Sequence, residues 1–374
     1  MKMEKMGIKG IALKWFKSYL SNRTQFVDIG GNFSSEKDIT TCILQGSILG
    51  PILFLIYIND LFHVSTALTL MFADDTFGLK SDSDINRLIM NINQDINKMA
   101  IWFKSNKLAV NKSKTKYIIF RARGKKVPEN LPPVVIDENE QNKPYDHDKV
   151  TEIERYHNNH ADNNCKAYKL LGIYLDEYLS LDFHVNHIVK KLNRSLYCIR
   201  MAKNNLKFEG LRALYFAIIH SHLSYCPVIL NCLSATNKNR LSKVQKKAIR
   251  VITNSNYNAH TAPLFVENKI LPFEKLLKQG LLNFMHSIHF NYAPKSFEDV
   301  WNQNVDRNLN VTLRNDENYR VPIPRTEFFK KMPLYTLPNA WNSAGNLILL
   351  ENKTTFKIAV KNELFEELLL DLEL

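Results

Sequence analysis

Asp74 and Asp75 stand side by side between two apolar runs, Leu68 to Phe72 and Phe77 to Leu79. The pattern predicts a short buried strand, a hairpin tip over Ala73 to Thr76, and the start of a return strand. Two carboxylates buried in a core would each cost several kcal/mol, on the order of the penalty for an unpaired ion, unless paired or metal-bound. At a solvated tip they cost little, and hard oxygen donors placed there suit a divalent cation. Aspartate is also a common turn residue, so a plain polar turn fits these residues equally well.

The elements that must position this tip are legible on both sides of it. Gly10 to Leu20 predicts a helix, with Ile11, Trp15 and Tyr19 on one face and Leu13, Phe16 and Leu20 widening it. Gln25 to Ile29 alternates like a strand, and Gly30-Gly31-Asn32 turns towards a second strand near Asp38 to Ile43. Leu44 to Pro51 is a glycine-punctuated loop leading into an apolar helix that ends at Asn59-Asp60-Leu61, with Ser47 placed to cap it. Ile85 to Phe103 predicts an amphipathic helix covering the sheet, with Trp102 and Phe103 in the core. Residues 121–166 are polar and proline-bearing, which predicts an extended insertion with one short strand at Val134 to Ile136. The spacing of His147, His157, His160 and Cys165 within it matches no standard zinc site.

From Phe183 onward the pattern is helical, through Leu192, Leu211 to Leu223 and Leu241 to Ile252. Between residues 183 and 260 every Asp, Glu, Lys or Arg is basic except Glu209. The chain of 374 residues carries a net charge of +13, so nearly all of its excess sits here. So one-sided an excess points to phosphate contacts more than to an idle solvated face. His184, His187, His220 and His222 read as structural, and Cys226 and Cys232 as core thiols. The stretches around Pro263, Pro272 and Pro333 to Trp341 predict irregular packing against a helix over Leu276 to Phe290. A last amphipathic, acidic helix, Phe356 to Leu372, could dock on the basic helices or stand exposed.

Five cysteines, an odd number without a CxxC pair, imply neither a disulfide framework nor a zinc ribbon and fit a reducing, intracellular setting in nucleus or cytoplasm. No secretory signal is visible, Pro51 to Ile58 is too short to span a bilayer, and Arg212, His220 and His222 interrupt Leu211 to Leu230, so no membrane partner is expected.

Several ordered motifs together resemble a reverse transcriptase, and more narrowly a non-LTR (LINE-type, jockey-like) retrotransposon enzyme. They are Trp15 to Arg23, Gln45-Gly46-Ser47 with Leu49-Gly50-Pro51 to Asn59-Asp60-Leu61, Phe72-Ala73-Asp74-Asp75-Thr76, Leu108 to Phe120 with Asn111, Lys114 and Thr115, and Leu171 to Asp176. One departure is Leu44, where the family commonly has proline.

The resemblance implies an α+β fold: a partial right-hand polymerase palm, an antiparallel sheet with covering helices, then a helical thumb and a mostly helical C-terminal region. The expected domains are an incomplete palm over 1–120, the insertion over 121–166, a primer-grip-like hairpin over 167–182, the basic thumb over 183–260, and a region of open role over 261–374. Asp74 becomes the main ligand and Asp75 a secondary ligand of Mg2+ (or Mn2+), and Lys114 falls where polymerases place a lysine near the pyrophosphate. Gln45, Gly46, Phe72 and Ala73 would contact template and incoming nucleotide, and Leu171, Gly172 and Ile173 would grip the primer. Lys190, Lys191, Arg194, Lys243, Lys246, Lys247 and Arg250 would track the nucleic-acid backbone. RNA template, DNA primer and dNTP are the implied partners.

The family's further aspartate, in a strand motif ahead of Gly7, has no counterpart: the early acids are Glu4, Asp28, Glu36 and Asp38. The metal site is therefore expected to be incomplete, the chain truncated, and its polymerase activity weak or nil. The alternative is a non-catalytic nucleic-acid-binding remnant acting through the basic thumb.

Overall fold

The computed structural model describes residues 2–39, 46–128, 130–137, 150–156, 167–297, 299–303 and 318–373. It is an α+β chain of helices and two-stranded sheets, divided into two compact units. The first holds residues 1–119 and 123–156, and the second holds 120–122 and 157–374.

In the first unit α1 (Lys2–Lys5) and α2 (Gly10–Leu20) precede four short strands: β1 (Arg23–Gln25), β2 (Asp28–Ile29), β3 (Asn32–Phe33) and β4 (Lys37–Ile39). The helix falls where its periodicity predicts, but Leu13, not Ile11, is its buried residue; Ile11 is 86% exposed and Trp15 stacks on Tyr19 at the surface. The expected pair of long strands is corrected to two nested hairpins, β1 with β4 and β2 with β3, because Gly30 and Gly31, both at positive φ, turn the chain back at once. Residues 40–45, which include Gln45, Leu44 and the end of the second expected strand, lie outside the described residues.

The apolar helix α3 (Leu49–Ile58) starts where the Ser47 hydroxyl accepts the Gly50 N–H at 3.0 Å, as the capping expectation required. β5 (Leu68–Phe72) pairs antiparallel with β6 (Asp75–Leu79), and the long helix α4 (Ile85–Ser105) follows, its N-terminus capped by the Asp84 side chain. α4 packs on β8 (Val135–Asp137), which pairs with β9 (Val150–Glu152), while β10 (Glu154–Tyr156) lies parallel to β7 (Lys116–Ile118). The insertion is thus corrected from an extended linker with one strand: Val134, Ile136 and Ile153 share a core with Ile89 and Ala100 of α4.

The second unit opens on a tight hairpin, β11 (Tyr168–Leu170) with β12 (Ile173–Leu175). Helices follow: α5 (Asp182–Ala202), α6 (Phe208–Tyr215), a π turn (Phe216–His220), α7 (Ser221–Leu223), α8 (Pro227–Asn231), α9 (Ala235–Ile252), α10 (Thr261–Glu267), α11 (Phe273–His289), α12 (Pro333–Asn342) and α13 (Lys353–Glu373). Leu211, Tyr215, Ile219 and Leu223 are buried at intervals of four residues. In a regular α-helix such a stripe drifts by about 40° per step; the wider π turn takes up the drift and keeps the stripe on the core. The proline-rich stretches are corrected to helices α10 and α12: Pro333 occupies the first turn of α12, where a missing N–H costs nothing, and Pro338 is buried inside it. α13 docks on α10 and α11, burying Phe356, Val360, Leu364 and Leu368 and pairing Glu367 with Lys275 and Lys278 at 2.6 and 2.5 Å.

Candidate active site and basic helices

Asp74 sits in a two-residue loop. Phe72 and Asp75 are the last paired residues of β5 and β6, so the tip is Ala73-Asp74 alone and the return strand begins at Asp75, two residues earlier than the pattern predicts. Ala73 takes φ 52°, the left-handed conformation that two-residue hairpin loops require. Both aspartates are exposed. Among the described residues no third acid, histidine or cysteine joins them in a metal-binding group. The donor type fits a hard cation such as Mg2+, while two carboxylates alone leave much of its coordination to be completed.

The strand is not buried as expected. Leu68, Leu70 and Phe72, on one face of β5, are 62%, 49% and 61% exposed, since no third strand or helix covers that face among the described residues. The hairpin is instead held from its open end. Asp95 of α4, buried, accepts bonds from the Thr66 N–H at 3.1 Å and the Thr66 hydroxyl at 3.1 Å, and pairs with Lys80 at 2.6 Å. Thr66 lies two residues before β5 and Lys80 immediately follows β6, so one carboxylate clamps both legs to α4. Sequence reasoning missed Asp95. The available signal was its position, three residues after Ile92 and four before Met99, on the apolar face of an otherwise solvated helix.

The other expected site residues of this unit are placed as follows. Gly46 is exposed at φ 87° with open space around it, which leaves room for a close approach to its backbone. Lys114 is exposed in a turn where its N–H bonds to the Asn111 side chain at 3.2 Å. His147, His157, His160 and Cys165 lie outside the described residues.

In the second unit Leu171 and Gly172, at φ 44° and 90°, form the two-residue turn between β11 and β12. The Tyr225 hydroxyl, also missed from sequence, donates to the Leu171 carbonyl at 2.5 Å, and its ring lies 3.5 Å from where a Gly172 side chain would begin. Ile173 is buried beneath the turn. Asp176 spends its carboxylate on the Ser180 N–H and hydroxyl, both at 2.7 Å.

α5 and α9 pack side by side, cross-linked by Arg240 to Asn186 at 2.7 Å and Asn237 to Asp182 at 2.6 Å. Lys190, Lys191 and Arg194 on α5 and Lys243 and Lys246 on α9 are exposed. Lys247 and Arg250 are half-buried, and Arg250 donates from Nε to the Ala259 carbonyl at 2.9 Å. His184 is buried and its pKa is pushed down to about 4 by desolvation, with His187 nearby adding to it. Burial raises the Cys226 thiol, and that of Cys232 to about 11, as befits inert core thiols.

Residues 1–175 match the reverse transcriptase (RNA-dependent DNA polymerase) family. The relatives that the chain is similar to are RNA-directed DNA polymerases of transposons and mobile elements. The chain is 25% identical over 255 residues to the probable RNA-directed DNA polymerase from transposon BS of Drosophila melanogaster, covering 64% of this chain and 25% of that protein. It is 23% identical over 265 residues to the probable RNA-directed DNA polymerase from transposon X-element of the same fly, covering 68% and 26%. Against the RNA-directed DNA polymerase from mobile element jockey it is 22% identical over 322 residues, 82% of this chain and 32% of the relative. The chain therefore spans about a quarter to a third of the curated relatives it matches. No solved structure matches it. Among the described residues no helix is long and apolar enough to cross a membrane.

Proposed function

We propose that the first unit is part of the palm of an RNA-directed DNA polymerase, that Asp74 is its principal metal ligand with Asp75 secondary, and that the basic helices of 183–260 are its thumb. The observation that carries this reading is the two-residue tip: it presents the exposed carboxylate of Asp74, with exposed Asp75 beside it at the start of the return strand, on a hairpin whose anchor among the described residues lies at its far end. Bound there, Mg2+ would stabilise the charge that develops on the attacking 3′ oxygen and on the departing pyrophosphate. The chain's own residues bind and orient. Gly46 lets template or nucleotide approach the backbone, exposed Lys114 supplies a cation for the leaving phosphates, and the turn Leu171-Gly172-Ile173 holds the primer end. α5 and α9 follow the duplex through its phosphates and shape, without reading its bases.

A third carboxylate must come from a strand other than those described here. Supplied with one by an upstream extension, the chain is expected to extend a DNA primer on an RNA template with Mg2+. Asp74→Ala should lower the rate by about a thousandfold or more, comparable to removing a major electrostatic stabiliser. Equal extension by the variant would overturn the site assignment.

The basic excess also favours a second reading, a non-catalytic nucleic-acid-binding remnant. It expects the chain as given to bind duplex with little sequence preference, losing about a thousandfold in affinity between ~50 and ~200 mM salt if about six phosphates are contacted. Affinity that stays flat as salt rises would exclude it.

A further inference from the structure

Lys190, Lys191 and Arg194 lie three, four and seven residues beyond His187 on α5, which sets them along one face of the helix. All four are exposed. Beside this stripe β12 lays Tyr174 against His187, ring centroids 4.8 Å apart, and Lys169 of β11 holds its ammonium 6.0 Å from the same tyrosine ring. His222, on α7, lies near enough to Lys191 and His187 for their charges to oppose its own. Behind them the buried His184 accepts the Tyr174 N–H at 3.4 Å, which seats the hairpin on α5. None of the ion pairs among the described residues uses Lys169, Lys190, Lys191 or Arg194. Basic groups from three elements thus converge without a counter-charge among the described residues.

Building on the duplex-binding reading above, we infer that Lys169, His187, Lys191 and His222 form a cradle for one backbone phosphate of a bound nucleic acid, gripping it more tightly as the histidines become protonated. Lys190 and Arg194 continue the track along α5, and the Tyr174 ring forms one wall.

The direction of the pH effect follows from linkage. In the free chain burial, then Lys191, Lys169, Arg194 and Lys190, depress the pKa of His187; burial, Lys191 and His187 do the same for His222. A phosphate seated among them cancels the repulsion and favours the charged imidazole. Binding then takes up protons and strengthens as pH falls, by up to about tenfold for each pKa unit gained on binding.

The test is the anisotropy of a labelled RNA–DNA hybrid titrated with the full chain at constant ionic strength, at about pH 5.5 and about pH 7.5 on either side of an ordinary histidine pKa. The chain is expected to bind about tenfold more tightly at the lower pH. The double variant His187→Gln/His222→Gln should lose most of the pH response, while Lys191→Ala should bind more weakly at both pH values and keep the response. A pH-independent wild type, or a double variant with the full response, overturns the cradle. NMR titration of the histidines with inorganic phosphate separates its failure from that of the duplex reading. A rise in both pKa values on adding phosphate supports the cradle even for a chain that binds no hybrid, and no rise overturns it.

Discussion

Asp95 and Asp74 show how differently one residue type can be used within a few turns of chain. Asp74 is solvated at a tip, whereas Asp95 is buried and carries the hairpin. Burial alone would raise the Asp95 pKa, but the bonds from Lys80 and Thr66 outweigh it and hold it below the usual carboxylate value. Its contribution to stability is therefore present above that usual value and is lost as pH falls through the lower, folded-state pKa. Asp95→Asn leaves the Lys80 ammonium without its counter-charge and should cost about 2–3 kcal/mol. Hydrogen exchange of the amides over 68–79 should rise before those of α4 do. His184 works in the opposite sense. Its folded pKa of about 4 lies below its ordinary 6.5, so the unfolded chain gains a proton first and stability falls between those two values. The loss should reach about 3 kcal/mol at most, and His184→Gln should flatten the urea midpoint against pH over that window.

At the scale of elements, two glycines set contacts that no side chain could share. A side chain at Gly280 of α11 would begin 2.2 Å from Pro227 Cγ at the start of α8, so Gly280→Ala must push the helices apart. About 2 kcal/mol or more of destabilisation, read as a lower urea midpoint of the second unit, is expected. Gly172→Ala combines φ 90° with the Tyr225 ring at 3.5 Å and should cost about 1 kcal/mol, with the loss confined to the β11–β12 hairpin. The long helices were legible because apolar residues at helical spacing repeat over many turns: α2 matches its expected bounds, and α4, α5, α9 and α11 lie over their expected stretches. The hairpin of the aspartates was legible as a hairpin, but its tip was not, because nothing in Ala73 announces a left-handed backbone. The face of α2 that is buried could not be read, since aromatic Trp15 and Tyr19 satisfy each other by stacking and leave Leu13 to the core. α12 escaped notice because two prolines argue against a helix, and only burial of Leu337 and Trp341 decides otherwise. Asp95 and Tyr225 depend on partners far away in sequence, Lys80 and Leu171 among them, which no local pattern encodes.

The molecule as a whole divides its apolar burial unevenly. Among the described residues the second unit has one contiguous core running from Ile173 to Leu368, whereas the first has two small clusters, one around Ile89 and Ile136 and one around Met3, Leu13 and Leu53. Unfolding in urea should therefore show two transitions, the first unit melting at lower denaturant. Trp15 and Trp102 report on the first and Trp301 and Trp341 on the second, so fluorescence of variants keeping only one pair resolves them. A single coincident transition by both pairs would show that the units unfold cooperatively.

Among the described residues the aspartate hairpin has one uncovered face and two unpaired edges, which bears on handling the protein. Leu68, Leu70 and Phe72 on a two-stranded ribbon offer a template on which a strand of another molecule can add. Asp74 and Asp75, charged and placed at the end of that ribbon, act as gatekeepers against such pairing. Replacing both with alanine removes the gate together with the proposed metal ligands. The doubly substituted protein should accumulate as sheet-rich aggregate, and any effect on the proposed activity should be judged only on the fraction that stays in solution.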